Sequence, residues 1–364
     1  MATQFIPSYL DSARYVLTAN VPSIQARTDK ERIEVSLTCE NGLDGDIETF
    51  YSTSLYAFDK VVELSDVGTL IEVYFRMRHK VADTITIVFD GISMDVHFLY
   101  CEYAMPDDFD PEKTFFIASH VQRVHQDSTI AIAAVDRGST TPFIIKAVGH
   151  NMADGNLSVV EKSVHQKFDH AGVTYFAVAD IIRWALDKTD EEAGVNLRDV
   201  LYFSIEYYGI QKMCYIVPAP AYLTFSFRNV FNVEEFLDVV GEMTTKTAVS
   251  RDVAICKGSS KHYDRSIERT YQIQTEPLTN DEVGIFEQFI ASHYVVMWLE
   301  GNDWDVIITD HTCEPSTDDD TLTTIKFTWR FADRRPRIFD SLMGNGIMPS
   351  RRRIFNDTFS PEYE

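Results

Sequence analysis

TNDEVGIFEQFIASHYVVMWLEGNDWDVIITD, residues 279–310, is the stretch from which the rest of the chain is read. Thr279, Asn280, Asp281 and Glu282 have the pattern of a capping box, in which the Thr hydroxyl accepts from the third helical amide and the Glu reaches back to the cap. A helix starts there, and Val283, Phe286, Phe289 and Ile290 give it one apolar face. Pro277 stops the strand before it. Gly301, Asn302 and Asp303 make a turn between strands at residues 295–299 and 306–309. Upstream, residues 248–256 and 267–275 are strand-like around a polar connection at 258–264. Downstream, Leu322, Ile325, Phe327, Trp329 and Phe331 alternate imperfectly, as a half-buried strand does. One helix on a small, mostly antiparallel sheet satisfies this block.

Further toward the N-terminus, one order of elements occurs twice. After a polar lead-in over residues 1–30, Ile33, Val35 and Leu37 alternate in a strand, and strands at 48–55 and 60–64 follow. Asp66 caps a helix with Val67, Leu70, Ile71 and Tyr74 on one face. Residues 84–89 and 94–100 then flank Asp90-Gly91, a hairpin signal. About 115 residues later, strands at 129–135, 142–148 and 173–178 lead to Asp180 and a helix bearing Ile181, Trp184 and Ala185. Residues 200–207 and 211–217 flank Tyr208-Gly209. Asp66 thus corresponds to Asp180, Gly91 to Gly209 and Ile92 to Ile210, an internal repeat of a β-rich module with one helix.

The expected fold is mainly β with α+β character. Two β-sandwich-like modules span residues 1–112 and 113–232, a small α+β domain spans 233–335, and 336–364 form an extended arm. Residues 105–113 read as the linker between the two copies. Phe231, Phe236 and Leu237 mark a docked junction to the third block.

At 364 residues the chain is long for one core. A net charge of −23 disfavours a general nucleic-acid surface, which needs clustered Lys and Arg. The first residues lack a basic n-region followed by an apolar run, so no secretory signal is expected. No apolar run reaches the length of a membrane span. Cys39, Cys101, Cys214, Cys256 and Cys313 are odd in number, widely spaced and free of CxxC, as expected for buried thiols in a reducing compartment.

Candidate chemistry is sparse. His120 and His125 bracket HVQRVH, but that spacing puts them on opposite sides of a strand, which favours a surface or hydrogen-bonded role over a metal site. Asp318, Asp319 and Asp320 lack the remainder of a calcium loop and read as a solvated turn. Asp303, Asp305, Asp310 and His311 read as exposed hairpin residues rather than an acid/base set. Tyr202, Tyr207, Tyr208 and Tyr215 fit core or cross-strand pairing better than sugar stacking. With no nucleophile elbow, zinc motif, phosphate loop or dinucleotide fingerprint, the chain does not read as an enzyme, and no cofactor or metal is expected. The arm is the remaining candidate site. Arg351, Arg352 and Arg353, with Phe355, Phe359 and Tyr363, suit contact with an acidic neighbour.

The runs LTFSFRNVFNVEEF at 223–236, YQIQTEPLT at 271–279, DVIITD at 305–310 and IKFTWRFADRRPR at 325–337 resemble structural proteins of bacteriophages and prophages infecting Bacteroidetes. That resemblance implies a tail, neck or baseplate component, assembled in the bacterial host cytoplasm as a symmetric ring without a cofactor. Its partners would be other copies of the chain and other virion proteins, with DNA passing an acidic channel unbound. Tandem β modules rich in Tyr and Phe also fit a carbohydrate-binding or receptor-binding protein.

Overall fold

The computed structural model describes residues 3–6, 15–21, 23–40, 46–106, 109–111, 114–135, 143–164, 171–187, 196–218, 223–299, 302–314 and 322–332. The protein is mainly β with a few helices. Its first unit holds β1 (Gln4–Phe5), β2 (Tyr15–Leu17), β3 (Ser23–Arg27), β4 (Arg32–Glu40), β5 (Ile47–Tyr56), β6 (Val61–Ser65), α1 (Val67–Arg78), β7 (Ala82–Phe89) and β8 (Ile92–Leu99). Among the described residues, β2-β8-β7-β4-β5 form one sheet and β1-β3-β6 a second. A single core lies between them, because inward residues alternate along each strand. Ile33, Val35 and Leu37 meet Ile24, Ala26, Val62 and Phe75 there. The lead-in is therefore not outside the fold. β2 and β3 are only short, so their period-two signal was weak.

The second unit holds β9 (Val121–Val124), β10 (Thr129–Val135), β11 (Phe143–His150), β12 (Leu157–Val164), β13 (Ala171–Ala177), α2 (Val178–Asp187), β14 (Tyr202–Tyr207) and β15 (Ile210–Ile216). Its larger sheet runs β9-β15-β14-β11-β12, and β10 pairs with β13. This is the order of the first unit, with β9 parallel to β15 as β2 is parallel to β8. The two hairpin turns also match. Asp90 and Gly91 have φ of 51° and 85°, Tyr208 and Gly209 have 50° and 82°, the doubly left-handed form that fits strand twist.

The helix starts differ from the expected caps. Asp66 precedes α1 but sits in the left-handed region at φ 55°, and its side chain makes no cap hydrogen bond. An N-cap side chain reaches back from extended backbone, so this conformation points it away. The start is held instead by backbone: Gly68 N donates to Val21 O at 3.1 Å, and a Cβ on Gly68 would lie 2.1 Å from Thr18 O. Asp180 is the third residue of α2 rather than its cap. There it still complements the positive helix end.

The third unit holds β16 (Leu223–Arg228), β17 (Glu234–Val239), β18 (Gly241–Cys256), β19 (Ser259–Thr275), α3 (Asn280–Ala291), β20 (Val295–Leu299), β21 (Asn302–Thr312) and β22 (Lys326–Phe331). Its antiparallel sheet runs β17-β16-β20-β21-β22-β19-β18. α3 lays Val283, Phe286 and Phe289 on Phe225, Phe227 and Phe327. The capping box is present, and Glu282 Oε2 accepts the Thr279 amide at 2.8 Å.

A fourth core seals the units together. Leu17, Leu99 and Cys101 of the first unit, Ala131, Ala133 and Val135 of β10, and Val230, Phe231 and Val233 meet around Phe116. β10 is therefore buried on both faces, since Ile130, Ile132 and Ala134 face the second unit's own core. Met105 and Phe109 are part of this packing, and Met105 is clasped by Asn20 through bonds of 3.0 and 3.1 Å, so these two residues of the stretch expected as a linker are docked. Cys39, Cys101 and Cys214 are buried free thiols, and Cys313 is half-buried and free. Among the described residues no helix is long and apolar enough to cross a membrane.

Candidate functional site

Two places concentrate polar or unsatisfied chemistry: a joint between the second and third units, and the distal part of the β18–β19 hairpin. At the joint, Arg123 of β9 donates from Nη2 to Glu282 Oε2 at 2.9 Å and to Pro277 O at 3.1 Å. The carboxylate that caps α3 thus also clamps a neighbouring strand. Lys212 of β15 is fully buried and places Nζ 3.5 Å from Glu235 Oε2 and 3.2 Å from Ser119 O. Asn229 Nδ2 donates to Glu235 Oε1 at 2.6 Å, and the Ala118 amide donates to the same oxygen. Such a pair is retained in a core only when each charge is matched and hydrogen-bonded.

Beside it, Asp238 accepts from Thr224 Oγ1 at 2.7 Å and from the Ser128 hydroxyl. Burial pushes its carboxyl above the ordinary carboxylate range, while these two donors pull it back. A cavity of about 110 Å³ lies among Arg123, His125, Asp238, Thr275, Glu282 and Phe286. Ser128, His125 and Asp238 adjoin one another, but in an order unlike a catalytic triad. The Ser128 hydroxyl accepts from the His125 backbone amide at 2.7 Å, while His125 Nδ1 donates to Val217 O at 2.7 Å. An imidazole serving as base must lie between hydroxyl and carboxylate. Here the groups tie two units together.

The other sequence candidates stay apart. His120 is exposed, with Nδ1 3.2 Å from Gln211 O. Tyr207 is in the second unit's core against Phe115, whereas Tyr202 and Tyr215 pair across strands at 5.6 Å. Tyr208 occupies the hairpin turn. Asp303, Asp305, Asp310 and His311 are exposed along β21. Asp318, Asp319 and Asp320 lie outside the described residues, as do Arg351, Arg352, Arg353, Phe355, Phe359 and Tyr363.

No family model matches the chain, and no curated protein does.

The hairpin is the second place. Among the described residues β19 joins the rest of the sheet only at its base, where Tyr271 to Gln274 pair with β22. Residues 244–255 of β18 are all exposed. At about 3.4 Å per residue the two-stranded ribbon reaches roughly 40 Å, closing in a turn at Lys257 and Gly258 with φ of 52° and 75°. Val249, Val253 and Ile255 alternate on one face of β18 and are 47%, 53% and 80% exposed. Ile267 lies directly across from Val249. Between residues 244 and 270 the sequence carries six Lys and Arg against three acids, a net +3 on a chain of net −23. Reading strands alone missed this, since alternation and turn signals show that a hairpin forms but not how far it outruns its sheet. The reversal of charge sign along 244–270 was the available signal.

Proposed function

We propose that the chain is a non-enzymatic structural subunit of a bacteriophage or prophage particle, closing with copies of itself into a symmetric ring at the neck, tail or baseplate. The observation that carries this reading is the ribbon. An isolated two-stranded hairpin is marginally stable in water, and this one leaves Val249, Val253 and Ile255 in solvent. A partner surface supplies the missing burial, and in a closed ring every copy offers the same surface. The phage setting rests on the resemblance of residues 223–236, 271–279, 305–310 and 325–337 to virion proteins. Assembly in the bacterial host cytoplasm and contact with other virion proteins follow from that setting. Arg351 to Arg353 with Phe355, Phe359 and Tyr363 would add a second contact.

Solution mass tests the reading. Sedimentation or light scattering is expected to show an oligomer for the full chain and a folded monomer when residues 245–270 are replaced by Asn-Gly. An unchanged mass would remove the ribbon from the contact. The carbohydrate-binding reading draws on Tyr202 and the 41% exposed Tyr215. Selective binding on a glycan array would favour it.

A further inference from the structure

Resting on that assembly reading, we infer that the ribbon of one copy docks along the open edge strand β5 in the first unit of a neighbouring copy. Edge strands present unpaired backbone groups to solvent, and an incoming strand satisfies them. Among the described residues β18 is itself an edge along its whole length, because it pairs there with β19 alone. Backbone groups are therefore available on both sides of the contact.

Two strands of the body are candidates, and the internal repeat supplies both. β5 and β12 occupy the same outer position in their sheets. Each carries exposed apolar residues: Ile47 at 77% and Tyr56 at 73% on β5, Leu157 at 61% and Val159 at 54% on β12. Charge separates them. Residues 1–112 hold eight Lys and Arg against twenty acids, a net −12, whereas residues 113–232 hold eleven against twelve, a net −1. At β5 the exposed Asp46 and Asp59 flank the strand, and Phe58 beside it is 81% exposed. Each edge has a cation beside an aromatic ring, Arg32 5.8 Å from Tyr56 at β5 and Lys162 5.5 Å from Trp184 at β12, and Glu48 of β5 pairs with Arg78, so the contrast in charge is that of the two units as wholes. A ribbon of net +3 with Val249, Val253 and Ile255 on one face matches an apolar edge on an acidic unit. Duplex DNA is the weaker occupant, since the ribbon retains three acids and three exposed aliphatic residues on a body that repels phosphate.

The test uses the full chain with a photo-crosslinking phenylalanine analogue at Ile255, in mixtures of isotopically heavy and light copies. Heavy-to-light crosslinks into residues 46–58 are expected. Ile47→Lys with Tyr56→Lys should weaken assembly about tenfold or more by like-charge contact, whereas Leu157→Lys with Val159→Lys should leave it unchanged. All four positions are exposed, so the fold is retained, which circular dichroism checks. Crosslinks into residues 157–164, or into added DNA, in a chain that still oligomerises would overturn the docking inference and leave the assembly reading standing. A monomer at every concentration would overturn both.

Discussion

The first and second units share a strand order and a hairpin turn but differ in what surrounds them. In the first unit β1 widens the smaller sheet, and among the described residues β5 is left as an outer edge on an acidic body. In the second unit β10 is covered on both faces, and the body is nearly neutral. The difference concentrates at one hairpin position. Ile87 pairs with Met94 in the first unit, and Ile205 pairs with Lys212 in the second, each three residues after the turn glycine. Met94 packs against an apolar core. Lys212 is more deeply buried than the half-buried Met94 and is matched by Glu235 from the third unit. One scaffold thus meets the third unit in two ways: Asn232 donates to the Phe75 and Lys80 carbonyls of the first copy, whereas Glu235 is matched to the buried Lys212 of the second.

The sharpest way to break this comparison is Glu235→Ala, which strands a buried ammonium. A loss of about 3 to 5 kcal/mol is expected, read as a lowered urea midpoint, and Lys212→Met with Glu235→Leu should recover most of it. If the single variant costs under about 1 kcal/mol, the pair is solvated and the second unit is not held as described.

The repeat itself predicts matched effects at the turns. Gly91→Ala and Gly209→Ala each force a methyl group onto left-handed backbone with φ near 80°, at a cost of about 1 kcal/mol. Equal losses in thermal unfolding support equivalent turns, and a large effect at one alone denies it.

The smallest expected effect is on pH dependence. Burial raises the Asp238 carboxyl above its unfolded value, so the native state keeps this proton where the unfolded chain has lost it. Falling pH therefore favours the fold through this group, and the contribution is lost as pH rises through the raised pKa. Asp238→Asn should flatten the stability profile on the alkaline side of the ordinary carboxylate range. A profile unchanged from the parent chain would show that Asp238 titrates normally.

Local physics wrote much of this into the sequence. Alternation at Ile33, Val35 and Leu37 marked β4, Asp90-Gly91 and Tyr208-Gly209 marked matching hairpins, and Thr279 with Glu282 marked the start of α3. Each signal depends on residues close in the chain, through period, turn conformation or capping. What lay beyond reach depends on residues far apart. Glu282 could be seen to cap a helix but not to clamp Arg123, 159 positions away. Lys212 is buried against Glu235, 23 positions away, and the Ser119 carbonyl, 93 positions away. The ribbon looked like two ordinary strands, because exposure depends on where the neighbouring β22 stops pairing. Sequence alone thus determined the repeated mainly-β plan and the charge reversal along residues 244–270. Tertiary structure decided which identical-looking edges stay open and which inward positions carry charge, because burial is a property of the neighbours that long-range packing supplies.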